Sequence, residues 1–93
     1  MQDQFNNWNR INTAAGTLVV SGSGRLGSVI VNNFGTAWEI ELYDGTSSAS
    51  TNVIGVIKGG TVPTKIDYNI PFKRGLFVNT EKGTTAGDLT LTY

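Results

Sequence analysis

The side chains in this chain that could do chemistry are few. Seven are carboxylates, Asp3, Glu39, Glu41, Asp44, Asp67, Glu81 and Asp88, and there is no His and no Cys. Without His the usual general base and the commonest metal ligand are missing; without Cys, disulfides and thiolate metal sites are excluded. Acid–base work on a glycosidic bond needs two carboxyl groups facing each other across a cleft. Glu39 and Glu41 come nearest, two residues apart on one strand face and about 7 Å from each other by strand geometry, yet the pattern around them makes that face the solvated one. The serines Ser21, Ser23, Ser28, Ser47, Ser48 and Ser50 stand among turn residues with no base to activate them. Asp44 with loop carbonyls is a fragment of a calcium site, but its loop holds no second acid. Gly22-Ser23-Gly24-Arg25-Leu26-Gly27 has the spacing of a dinucleotide-binding turn, which requires a helix starting at the last glycine to hold the pyrophosphate. Ser28-Val29-Ile30-Val31 follows instead, β-branched and strand-forming, so these glycines are read as a turn or bulge. No catalytic, cofactor-binding or metal-binding residue is predicted, and the chain is expected not to be an enzyme.

What remains is binding. Phe5 and Trp8 are two large rings in a Gln/Asn-rich opening stretch with little around them to pack against, and Arg10 follows. Such rings either fold back on the domain from a disordered terminus or anchor a segment that orders on a partner. Trp38 shares strand parity with Ile40 and Leu42 and is read as core, while Tyr43 falls on the opposite parity at the strand's end. The seven basic residues are spread along the chain and balance the seven acids, so the basic footprint of a nucleic-acid binder is missing. No apolar run is long enough to span a bilayer, and Met1-Gln2-Asp3-Gln4 has no signal-peptide character. A soluble chain made in a cytoplasm is expected.

These residues are positioned by short strands. In Thr36 to Tyr43, Trp38, Ile40 and Leu42 alternate with Ala37, Glu39 and Glu41, the period-2 pattern of a strand with one dry face. Asn32-Asn33-Phe34-Gly35 tolerates positive φ, so Ser28 to Val31 is expected to fold back as the other arm of a hairpin. Thr17 to Ser21 is a strand, and Asp44-Gly45 opens a polar loop to Asn52. Val53 to Lys58 (Val-Ile-Gly-Val-Ile-Lys) is apolar on both faces, as suits a strand covered on both sides, either inside the sandwich or against another subunit. Gly59-Gly60 breaks it. Ile66, Tyr68 and Ile70 alternate with Lys65, Asp67 and Asn69 in a strand that Pro71 ends. Leu76 to Asn79 and Asp88 to Tyr93 complete the set, with a Gly/Thr loop at Glu81 to Gly87. The expectation is all-β: a single small antiparallel β-sandwich, jelly-roll or Ig-like, of about seven short strands, with an arm and linker over residues 1–15 and the sandwich over 16–93. At 93 residues and without staples, such a domain gains from oligomerisation.

Several stretches together resemble the small β-rich virion proteins of tailed bacteriophages, in particular head decoration (cement) proteins. They are Gly24-Arg25-Leu26 entering a Val/Ile strand, Trp38-Glu39-Ile40-Glu41-Leu42-Tyr43-Asp44-Gly45 before a Ser/Thr loop, Val-Ile-Gly-Val-Ile at Val53 to Ile57, and Gly83-Thr84-Thr85-Ala86-Gly87-Asp88-Leu89-Thr90-Leu91-Thr92-Tyr93. The resemblance covers about Gly16 to Tyr93. It implies a non-enzymatic virion protein, without cofactor, nucleic acid or membrane, that docks on the outer capsid surface. There it acts commonly as a homotrimer at local three-fold positions, clamping major capsid protein subunits against internal pressure. On that reading Phe5, Trp8 and Arg10 are the expected capsid contacts, and Val53, Val56 and Ile57 the expected subunit contacts. The alternative is a carbohydrate-binding or fibre/tail adaptor module that holds glycan with Trp8 or Tyr43.

Overall fold

A computed structural model of the chain describes residues 7–35, 38–47, 49, 51–58, 64–83 and 87–93. Phe5 and the Gly59-Gly60 break lie outside the described residues. All regular structure among them is strand: β1 (Trp8–Ile11), β2 (Gly16–Ser21), β3 (Gly24–Asn33), β4 (Glu39–Asp44), β5 (Val53–Lys58), β6 (Thr64–Phe72), β7 (Gly75–Asn79) and β8 (Asp88–Thr92). They form two four-stranded antiparallel sheets, β1-β8-β3-β6 and β2-β7-β4-β5.

The connectivity has a simple rule. β1 pairs with β8, β2 with β7, β3 with β6 and β4 with β5, so the chain is one long hairpin folded at the β4–β5 loop. Rolling that hairpin adds the β3–β8 and β4–β7 pairings and closes two sheets over one core. This is the connectivity of a jelly roll, one of the two sandwich types expected, with eight strands among the described residues rather than about seven.

The core is the inward parity of each strand. Leu26, Val29 and Val31 of β3, Leu89 and Leu91 of β8 and Ile11 of β1 meet Ile40 and Leu42 of β4, Leu76 and Val78 of β7 and Ile57 of β5 across the sandwich. Burying such side chains stabilises the domain by about 1.5–3 kcal/mol each. Trp38 closes one end, 2% exposed, its Nε1 donating to the Thr80 carbonyl at 3.0 Å.

Three expectations need correction. The stretches at Ser28–Val31 and Thr36–Tyr43 are not hairpin arms: β3 and β4 lie in different sheets. The connection does turn at a positive-φ glycine, Gly35 (φ 62°), whose N–H donates to Asn33 Oδ1 at 2.7 Å. Phe34 and Trp38 on either side, however, are both buried in the core; a tight hairpin would leave those rings in water, so the chain crosses between sheets over them. Second, the segment read as arm and linker supplies a strand, since Trp8–Ile11 pair with β8. Thr80 fastens the link behind it: its hydroxyl donates to the Thr13 carbonyl (2.7 Å), with the Ala15 carbonyl at 2.9 Å, and accepts from Ala15 N–H (3.2 Å). Third, Pro71 does not end β6, which runs to Phe72. β6 is an edge strand, and an edge tolerates a residue without an N–H. Two residues earlier β6 carries a bulge where Asn69 takes φ 48°, a left-handed conformation that Asn visits more readily than most residues. Arg25 braces it through Nε to Asn69 Oδ1 at 2.8 Å.

Candidate interaction site

The sandwich is a slab about 35 × 32 × 16 Å, so its two outer faces are its largest surfaces. Exposed large apolar residues sit on particular strands. Among the described residues they are Trp8, Leu18, Val53, Val56 and Ile70, and all five lie on the edge strands β1, β2, β5 and β6.

On the first sheet, Ile11 points inward, so Trp8 and Arg10 point outward from β1. Trp8 is 68% exposed. Arg10 is held: its guanidinium donates to both Asp88 oxygens of β8, Nε to Oδ1 at 3.0 Å and Nη2 to Oδ2 at 2.6 Å. Such a bidentate pair fixes geometry better than a point charge does. Those bonds from Arg10 hold the Asp88 carboxyl below its ordinary pKa. Arg10 thus braces the strand that carries Trp8.

On the second sheet the outward parity carries a row in register across all four strands. Leu18 of β2 faces Phe77 of β7, Phe77 faces Tyr43 of β4, and Tyr43 faces Val53 of β5. The Phe77 and Tyr43 rings lie 6.5 Å apart, tilted by 56°. The Phe77 ring lies over Gly16, where a Cβ would come within 2.7 Å of it, so glycine makes room for the ring.

The next row along this face is polar, apart from Val56 at its edge. Glu41 accepts from Asn79 Nδ2 at 2.9 Å and from Lys82 Nζ at 3.0 Å. Glu39 pairs with Lys58 at 3.6 Å and Lys82 at 3.9 Å. The Lys82 bond, with Asn79 helping, lowers the Glu41 pKa against the opposing effect of burial, while burial, and then the Glu41 charge, raise that of Tyr43. The two glutamates do share an outward face, as their parity predicts, but each is engaged with lysine rather than free.

Asp44, at the hairpin tip, binds the neighbouring turn: its carboxylate accepts from the backbone N–H groups of Lys73 (3.0 Å) and Arg74 (2.8 Å). These bonds, that from Arg74 foremost, lower its pKa. Next to it an open polar cleft of about 420 Å³ lies between Arg74 and the tip-loop residues Gly45 to Ser47, Ala49, Thr51 and Asn52. Gly22, at φ 101°, turns the chain into β3, and Gly24 to Gly27 are already part of that strand, with no helix start.

Of the residues singled out from sequence, Trp8 and Arg10 come together on one outer face, and Val53 and Val56, 53% and 46% exposed, on the other. Ile57 does not join them. It is 6% exposed and packs in the core, because β5 alternates and Ile57 faces Ile40 on the inward side. Tyr43, open in the sequence, is 8% exposed. Sequence reading missed Leu18 and Phe77, whose only local signal was their place in short apolar strands; what joins them to Tyr43 is register. No protein-family model, no curated protein and no solved structure matches the chain.

Proposed function

We propose that the chain is a non-enzymatic structural protein of a tailed-phage virion, a decoration protein that docks on the outer surface of the head, grips the major capsid protein through Trp8 and stabilises the shell. The observation that carries this reading is Trp8 itself. A ring left 68% exposed on an ordered strand, with that strand braced by Arg10 and Asp88, is presented to a partner in a fixed position, and rigid aromatic anchors dominate protein interfaces. The resemblance supplies the kind of partner and the homotrimer at local three-fold positions.

The test is sedimentation with emptied heads of the phage that carries the gene. The chain should pellet with the heads, and Trp8→Ala should pellet at least about tenfold more weakly with an unchanged melting curve. Wild-type chain left in the supernatant at tens of micromolar would overturn the assignment. Removing residues 1–10 is a poor test, since it strips β1 from β8; removing residues 1–6 spares the strand. A carbohydrate-binding or fibre/tail adaptor module would use the same ring, and a glycan-array signal lost in Trp8→Ala, without head binding, would move the assignment there.

A further inference from the structure

Building on the decoration reading above, we propose that the free edge of β1 takes an extended segment of the capsid protein as an added strand. β1, β6, β2 and β5 are the edges of the two sheets. An edge presents a row of unpaired backbone N–H and C=O groups that another extended chain can join, and bulges and prolines are the usual guards against it. Three of the four edges are guarded. The extra residue of the bulge is Val19 in β2, Ile54 in β5, and in β6 it lies between Asp67 and Ile70, just before Pro71, so each bulge is on the edge strand itself. β1 has none: Trp8, Asn9, Arg10 and Ile11 meet Thr92, Leu91, Thr90 and Leu89 one for one.

The register says which backbone groups are open. Asn7 and Tyr93 exchange both backbone bonds, at 3.1 and 2.9 Å, and in an antiparallel ladder such pairs recur at every second residue. Asn9 and Ile11 therefore turn their N–H and C=O groups to β8, while those of Trp8 and Arg10 point away from the sheet. Among the described residues no strand pairs with that side. The Trp8 ring, 68% exposed, stands at the same edge, so a strand bonded to the Trp8 backbone also packs beside the ring. Arg10 already holds both Asp88 oxygens, so the segment needs no acid opposite it, and an aromatic or β-branched residue next to Trp8 is the favoured cross-strand pair. The size of the edge says whose segment it is. Four residues span about 13 Å, and a single added strand of that length falls well short of the roughly 800 Å² per partner that a stable complex buries. The edge works as one part of a larger contact, which a head surface under the Trp8 face supplies and a second copy joined edge to edge does not.

Amide hydrogen exchange of the chain, free and bound to emptied heads, tests this. In the free chain the Trp8 and Arg10 amides should exchange at least about tenfold faster than those of Asn9 and Ile11, and on heads they should slow at least about tenfold. Trp8 and Arg10 amides that exchange on heads as fast as in solution would overturn the proposal. Protection that grows with chain concentration when no heads are present would overturn it as well, since a second copy then holds the edge. A pair of variants gives an independent reading. Arg10→Ala and Arg10→Pro both lose the Asp88 pair, but only proline removes the outward N–H and fills its place, a change that an edge strand tolerates on its open side. The two should melt together, and Arg10→Pro should pellet with heads at least about tenfold more weakly than Arg10→Ala; equal pelleting would contradict the added strand. Wild-type chain that pellets while both amides stay unprotected keeps the decoration role and loses this edge contact, whereas wild-type chain left in the supernatant removes both.

Discussion

Three carboxylates tie distant parts of the chain together, and each ties its pKa to folding. Glu41 is lowered by Lys82, Asp44 by the Arg74 and Lys73 amides, and Asp88 by Arg10. In the unfolded chain these groups return to their ordinary values of 4.5, 3.8 and 3.8. Each folded pKa lies below its unfolded one, so the stabilisation is complete above the ordinary range and is lost as pH falls through the lowered values. Melting midpoints by circular dichroism should therefore stay level from neutrality down to about pH 5 and fall below about pH 4, with a shallower acid limb in Asp44→Asn. An identical acid limb in that variant would show that Asp44 takes no part. At this scale the sequence was readable where the signal was local. Parity put Trp38 in the core and Glu39 and Glu41 on the outer face. The partners of Arg10 and Glu41 stand 78, 41 and 38 residues away, beyond any window of spacing.

The strands beyond β1 were legible because alternation is a local property of buried sheets. β1 was not: of Trp8, Asn9, Arg10 and Ile11 only Ile11 turns an apolar side chain inward, so no pattern exists to read. Strand partners were also hidden, since the hairpin signal at Asn32 to Gly35 marks a real turn and says nothing about which sheet the chain enters next. Close backbone approach at element ends is likewise invisible in sequence. Gly87 precedes β8, and a Cβ there would run into the Asn33 carbonyl and come within 2.6 Å of the Trp38 ring. Gly87→Ala should destabilise the domain by about 1–3 kcal/mol in urea unfolding, the usual range for forcing extra volume into a packed site. Gly16→Ala meets only the Phe77 side chain, which can swing aside, and should cost less. Equal costs would mean that the Gly87 site relaxes.

At the scale of the whole molecule the jelly roll is one long hairpin rolled into a thin slab, with an exposed tryptophan on one face and a four-strand apolar row on the other. Composition and strand spacing reached the sandwich, while the order of its strands rests on pairings between opposite ends of the chain. The proposed decoration role would hold a shell with the tryptophan face. The most direct test of that account is the temperature at which genome-filled heads rupture, measured with and without saturating chain. The account predicts a higher rupture temperature with wild-type chain and no rise with Trp8→Ala; heads that bind the chain yet rupture at an unchanged temperature would contradict it.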